Sequence, residues 1–189
     1  MQDTNLLKLS YHSVSPKEFI TFWSSFYNYP LEELYINRIS KNQFSSNDLT
    51  KLFEWKNGSR LSAKKQKTFQ KIINKLDVIN DLKKEFSLNI FQDKFKFIKG
   101  IIWKIYLLHL IAPSEYPIFD QHVCRALYFI TKNQKKEIPS QNRVKEKLYF
   151  DEYVTFFNKL SEGGVSRKKL DEALWAFGKF LKTSYGKKI

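Results

Sequence analysis

The chain has 189 residues, with 33 Lys and Arg against 19 Asp and Glu, a formal charge of +14. Apolar residues make up 42% and aromatics 16%, enough to bury a core, which excludes a chain disordered throughout. One cysteine, Cys124, excludes an internal disulfide framework, a four-cysteine iron–sulfur cluster and a cysteine-based zinc site. Three histidines, His12, His109 and His122, are too scattered for a metal cage, so neither metal nor cofactor is expected. The excess of positive charge concentrates polyanions, and nucleic acid is the expected partner.

The N-terminal Met1-Gln2-Asp3-Thr4-Asn5 is polar and has no secretory apolar segment. Ser15-Pro16-Lys17-Glu18 reads as a helix start with a capping box. Phe19, Phe22, Trp23 and Phe26 then recur at helical spacing, the mark of one buried face. Pro30 restarts the chain into a helix through Leu31, Leu34 and Tyr35, and Ser45-Ser46-Asn47-Asp48 caps a third through Leu49, Leu52, Phe53 and Trp55. Asn57-Gly58 is a turn signal. Ser62 opens a long charged helix whose apolar positions include Phe69, Ile72, Ile73, Leu76, Val78 and Ile79.

Another helical stretch, about Phe91 to Leu110, is interrupted by Gly100. The longest apolar run, Ile105 to Ala112, is far too short to span a bilayer. No membrane partner is expected, and a cytoplasmic location follows, at the nucleoid if the source is bacterial. Pro113 and Pro117 delimit a short loop before a helix from about Asp120 to Thr131. A lysine-rich linker, Lys132 to Pro139, precedes helices around Arg143–Leu160 and Lys168–Thr183, which Gly163-Gly164-Val165-Ser166 separates. With no alternating strand pattern, the expected fold is all-α: one helical domain over 1–189, either undivided or as two packed lobes of about 1–90 and 91–189.

One constellation carries chemistry. A glycine, Gly100, lies between two helical segments, and a carboxylate, Asp120, follows 20 positions later at a new helix start. This resembles the helix-hairpin-helix/Gly-Pro-Asp superfamily of DNA glycosylases. Tyr116-Pro117-Ile118-Phe119-Asp120 is similar to the Phe-Pro-Ile-Leu-Asp of its adenine-mismatch branch, and Asp120-Gln121-His122 to the Asp-x-His of its endonuclease-III-like and 8-oxoguanine branches. Ala173-Leu174-Trp175-Ala176-Phe177-Gly178 resembles the closing helix of the family. The resemblance covers Lys99 to about Leu127 well and Leu170 to Leu181 weakly, and residues 1–90 align with no motif.

The resemblance implies a compact helical domain with a degenerate helix-hairpin-helix element, acting on double-stranded DNA with a flipped base; one cysteine can build no iron–sulfur cluster. It implies Asp120 as the catalytic carboxylate that stabilises an oxocarbenium-like sugar and activates water. It implies phosphate contacts at the hairpin-like Gly100, where Lys96 and Lys99 could supply charge, and from His122; Lys104 and Arg125 are further candidate DNA contacts. The family hairpin reads apolar-Pro-Gly-apolar-Gly, whereas Lys96-Phe97-Ile98-Lys99-Gly100 has one glycine and no proline. Bifunctional members carry a nucleophilic lysine where this chain has Ile102, so a monofunctional hydrolase without lyase chemistry is expected.

Each residue also has a plainer reading. Asp120 can be only an N-cap, His122 a surface or a buried hydrogen-bonded residue, Arg125 an ion-pair partner, and His109 a satisfied core histidine. Cys124 reads as a small core residue. Trp55 and Asn57, beside the turn, are candidates to line the base pocket or intercalate, as are Trp175 and Phe177 on the last helix; Trp55 can equally close the core. Lys64-Lys65-Gln66-Lys67 is a solvated face or a phosphate track. The alternative to an enzyme is a non-enzymatic DNA- or RNA-binding protein on the same scaffold.

Overall fold

The computed structural model describes residues 14–162 and 164–188; the N-terminal residues, His12 among them, and Gly163 lie outside that range. The described residues form helices joined by short loops, with no strand among them. None of these helices is long and apolar enough to cross a membrane.

Local chemistry accounts for most helix boundaries. Helix α1 (Pro16–Ser24) starts at a reciprocal capping box, in which Ser15 Oγ accepts from the Glu18 amide and the Glu18 carboxylate accepts from the Ser15 amide. Ser45 and Asp48 repeat the device at α3 (Ser46–Asn57), which ends on Gly58 in the left-handed conformation, φ 70°. Between them lies α2 (Glu32–Ile39). The single long helix expected from Ser62 is instead two, α4 (Ala63–Ile73) and α5 (Leu76–Lys84). The break falls at Asn74 and Lys75 without Gly or Pro; asparagine favours helix ends because its amide competes for nearby backbone groups.

Helix α6 (Leu88–Lys94) leads through the loop 95–100 into α7 (Ile101–Ile111), a helix apolar on nearly every side and buried accordingly. Helix α8 (Gln121–Lys132) follows the Pro113–Pro117 loop. Helices α9 (Asn142–Lys147) and α10 (Val154–Ser161) are continuous through a π-helical turn, Leu148–Tyr153. That turn carries Tyr149 and Tyr153 into the core. Tyr149 Oη donates to the Pro117 carbonyl at 2.9 Å, and Phe119 packs on both rings, which pins the loop ahead of Asp120.

Helix α11 (Arg167–Phe180) packs against α1 on one side and α8 on the other. One connected cluster of buried side chains extends from Ile20 to Leu181, so residues on either side of position 90 share a core. Only half of the α1 aromatic stripe joins it. Phe19 and Trp23 pack on Phe177, with ring centroids 5.3 and 4.9 Å away, whereas Phe22 and Phe26 are 56% and 58% exposed. The expectation that the whole stripe is core is corrected here: α1 lies at the surface, and α11 covers one flank of it.

The α8–α11 crossing depends on Gly178. A Cβ there would lie 1.9 Å from the His122 carbonyl oxygen and 2.5 Å from its carbon, both backbone atoms that cannot rotate away. Gly100, by contrast, has extended backbone (φ −80°, ψ 103°) and open space where a Cβ would go. Gly178→Ala is expected to destabilise the fold by about 2–3 kcal/mol, and Gly100→Ala by less than about 0.5 kcal/mol. Urea midpoints of the two variants check both values.

Candidate active site

The loop before α8 brings Asp120 to a cavity. Asp120 takes extended backbone (φ −154°, ψ −173°) as the N-cap of α8, and its Oδ1 accepts from the amides of His122 and Val123 at 2.7 and 3.1 Å. The cap uses one oxygen. The other, Oδ2, faces the ammonium of Lys56 at 3.9 Å, and the side chain stays 23% exposed. The cap reading and the site reading therefore apply to different oxygens of one carboxylate.

The cavity measures about 360 Å³, within the usual range for small-ligand sites. Tyr27, Tyr29, Trp55 and Trp175 form its aromatic walls, and Ile102, Ile118 and Val123 add apolar surface. Glu32 holds the aromatic wall together: its Oε2 accepts from Tyr27 Oη at 2.7 Å and Trp55 Nε1 at 3.0 Å, and Oε1 meets Lys168 of α11. Tyr29 Oη donates to the Trp55 carbonyl at 2.9 Å. These bonds fix four elements around one void, the preorganisation a binding site needs.

Three titratable groups share the cavity with Asp120. Lys56, from the last turn of α3, donates to the Phe119 carbonyl at 3.4 Å and lies 5.5 Å from the Tyr106 ring. Burial pushes its pKa down, and the nearby Asp120 and Asp171 carboxyls only partly restore it. His122 packs on Trp175 at 5.1 Å and shares a hydrogen bond with Arg125 Nη1 at 3.0 Å; burial lowers its pKa, against the pull of Asp120. Asp171, on α11, contributes a carboxyl whose Oδ1 is buried without a hydrogen-bond partner among the described residues. Burial pushes it up to about 7.

Asp120, His122, Trp55, Asn57 and Trp175 are thus brought to one cavity. Trp55 is a buried wall stacked on Tyr35 at 4.4 Å, so it does not intercalate. Asn57 is held in the turn after α3 by the backbone of Ser59 and Arg60 and by Lys65. Phe177 is corrected: it lies on the far side of α11, against Phe19, Trp23 and Phe129. Arg125 is corrected as well. It is 3% exposed: Nε meets Glu137, Nη1 meets the Gly178 carbonyl and His122, and Nη2 is buried, out of reach of a phosphate.

Lys104 pairs with Glu146 at 3.7 Å and lines a separate small groove with Leu88 and Phe150, away from Asp120. Lys96, Lys99 and Gly100 are exposed around the start of α7, with Lys96 paired to Asp93 at 3.1 Å. Ile102, where the family resemblance called for a lysine in bifunctional enzymes, does reach the cavity. His109 is a satisfied core residue: Nδ1 meets the Tyr116 carbonyl at 2.7 Å and Nε2 the Tyr35 hydroxyl at 2.8 Å. Cys124 is fully buried, which pushes its thiol up to about 12. No group of three His, Cys, Asp or Glu among the described residues is arranged to hold a metal ion.

The sequence reading missed Lys56, Asp171, Tyr27 and Tyr29. Two carried a usable signal: Lys56 sits between Trp55 and Asn57, and Asp171 precedes Trp175 by four residues, on the same helix face. The two tyrosines belong to a segment that only tertiary packing brings to α8.

The raised carboxyl has a stability signature. Asp171 keeps its proton in the folded chain up to about 7 but loses it near 3.8 when unfolded, so its burden on stability appears as pH rises through that interval. His109, pushed down to about 3 by burial, acts oppositely, costing stability as pH falls below about 6.5. Asp171→Asn is therefore expected to stabilise the fold by on the order of 2 kcal/mol at about pH 8 and by nearly nothing at about pH 3.5, read from urea unfolding. Comparison of the chain with protein families, curated proteins and solved structures gives no match.

Proposed function

We propose that this protein is a monofunctional DNA N-glycosylase, hydrolysing the bond between deoxyribose and a flipped damaged, mispaired or modified base. The observation that carries the reading is Asp120: one oxygen caps α8, while the other, 3.9 Å from the Lys56 ammonium, lies at the wall of an aromatic cavity on a chain of charge +14. A base leaving the stack needs a π-faced pocket, and the sugar that stays outside needs a carboxylate to balance its developing positive charge. Lys65, bonded to Asn57, and Lys179, 4.7 Å from the Trp175 ring, place cations beside the cavity lining, where a phosphate backbone would pass.

Asp120→Asn is expected to lower base release by about 10²–10³-fold while leaving duplex affinity and its salt dependence nearly unchanged. The measurement is a panel of duplexes, each with one lesion or modified base, scored for abasic sites after alkali. Salt-dependent binding with no abasic site on any duplex would make the protein a non-enzymatic nucleic-acid binder.

Lys56 favours a second reading. It is a buried amine 3.9 Å from Asp120 with a lowered pKa, the property of lysines that form Schiff bases. The hydrolytic reading expects no covalent adduct when the reaction is run with borohydride. Efficient trapping that disappears in Lys56→Gln would instead establish a lyase, with the amine supplied by α3 and not by the hairpin.

A further inference from the structure

A second carboxyl lines the cavity, and hydrolysis through Asp120 alone gives it no role. Resting on the glycosylase reading, we propose that Asp171 is the acid of the reaction, protonating the departing base. The substrate is then a neutral base that offers a ring-nitrogen lone pair, not an alkylated base that already carries positive charge.

The geometry comes first. Asp171 is on α11, four residues before the Trp175 wall, and lines the same cavity as Asp120, which is at the start of α8. Its Oδ1 is buried and makes no hydrogen bond to any described residue. A buried carboxyl oxygen left without a partner is costly, and more so when the group is charged, which favours the protonated carboxyl. An ionised carboxyl offers only acceptors, whereas a protonated one offers a donor beside an acceptor. A flipped base with a free ring nitrogen supplies the acceptor that the donor lacks.

The surrounding charges divide. Lys168 on α11 and Lys56 on α3 favour the anion, while Asp120 at α8 and Glu32 on α2 oppose it. A smaller cavity of about 170 Å³ lies on the other side of Asp171, with Arg167, Lys168, Tyr35 and the His109 ring around it. Burial outweighs these pairings and holds the carboxyl protonated up to about 7. Two carboxyls in one site, one bound by amides and an ammonium and the other desolvated, is the arrangement that separates base from acid.

The step balances. The N-glycosidic bond breaks and its electron pair goes to the base, while the Asp171 proton passes to a ring nitrogen of that base. Water adds to the sugar carbon and gives its surplus proton to Asp120. Solvent then returns both carboxyls to their starting states. A cationic base leaves as a neutral molecule without help, so an acid gains nothing there.

The test is single-turnover base release between about pH 6 and 9 from duplexes carrying adenine opposite 8-oxoguanine, hypoxanthine opposite thymine, 8-oxoguanine opposite cytosine, or 7-methylguanine opposite cytosine. The wild type is expected to release a neutral base, at a rate falling about tenfold per pH unit above the Asp171 pKa of about 7. Asp171→Asn should be about 10²–10⁴-fold slower and lose that decline, and Asp171→Glu should recover part of the rate. A wild-type rate flat across this range would overturn the assignment without recourse to any variant. Wild-type speed in Asp171→Asn, an unchanged alkaline decline in it, or release confined to 7-methylguanine would do the same. If Asp120→Asn abolishes release and Asp171→Asn does not, the glycosylase reading stands and this inference falls. Release from none of the four duplexes overturns both.

Discussion

The contact between a glycine and a backbone carbonyl sets the geometry on which the site depends. Gly178 lets α11 approach the first turn of α8 so closely that the smallest side chain would overlap the His122 carbonyl. The same approach lets Arg125 reach the Gly178 carbonyl and lets Trp175 pack on His122. Asp120 caps that first turn of α8, and Asp171 and Trp175 stand on the facing stretch of α11. Separation of the two helices by even a methyl radius would open the cavity between the carboxyl groups. Close packing converts one missing Cβ into the position of a site several residues away.

Positions governed by local rules were the ones legible in the sequence. The capping boxes at Ser15 and Ser45, the glycine stop at Gly58 and the N-cap at Asp120 each involve atoms within four residues, and each is present. The apolar run Ile105 to Ala112 is likewise buried throughout. Failures came where a partner distant in sequence decides. Half of the α1 stripe stays in solvent because α11 covers one flank. Arg125, a candidate DNA contact whose plainer reading is an ion-pair partner, takes the second role, drawn inward by Glu137 and the Gly178 carbonyl. Lys56 and Asp171 were passed over because a lone lysine and a lone aspartate on charged helices resemble solvated surface; their burial depends on the Glu32 network that closes the wall above them.

The charge of the chain and the charge of the cavity have different consequences. Thirty-three basic side chains set a long-range field that draws in polyanions and weakens with salt. Inside the cavity, the desolvated Lys56 and Asp171 interact with each other and with Asp120 over short distances in a medium that screens them poorly. On the proposed function, salt would therefore govern how DNA arrives and have far less hold on what happens once a base is enclosed.

The proton on Asp171 decides the electrical balance of the enclosed site. With Asp171 neutral, the Lys56 ammonium and the Asp120 carboxylate compensate each other, and the cavity presents no net charge to an uncharged base. With Asp171 ionised, two carboxylates would share the Lys56 and Lys168 ammoniums, and on the proposed reading the added anion would cost desolvation energy beside the phosphates of a flipped nucleotide. Burial, reinforced by the charge of Asp120 and only partly offset by Lys168 and Lys56, keeps the proton on Asp171. The unequal partners of the two aspartates, two amides and an ammonium for one and, for the other, a buried oxygen with no hydrogen bond to a described residue, would on the proposed reading allow a single small cavity to hold a base and an acid together.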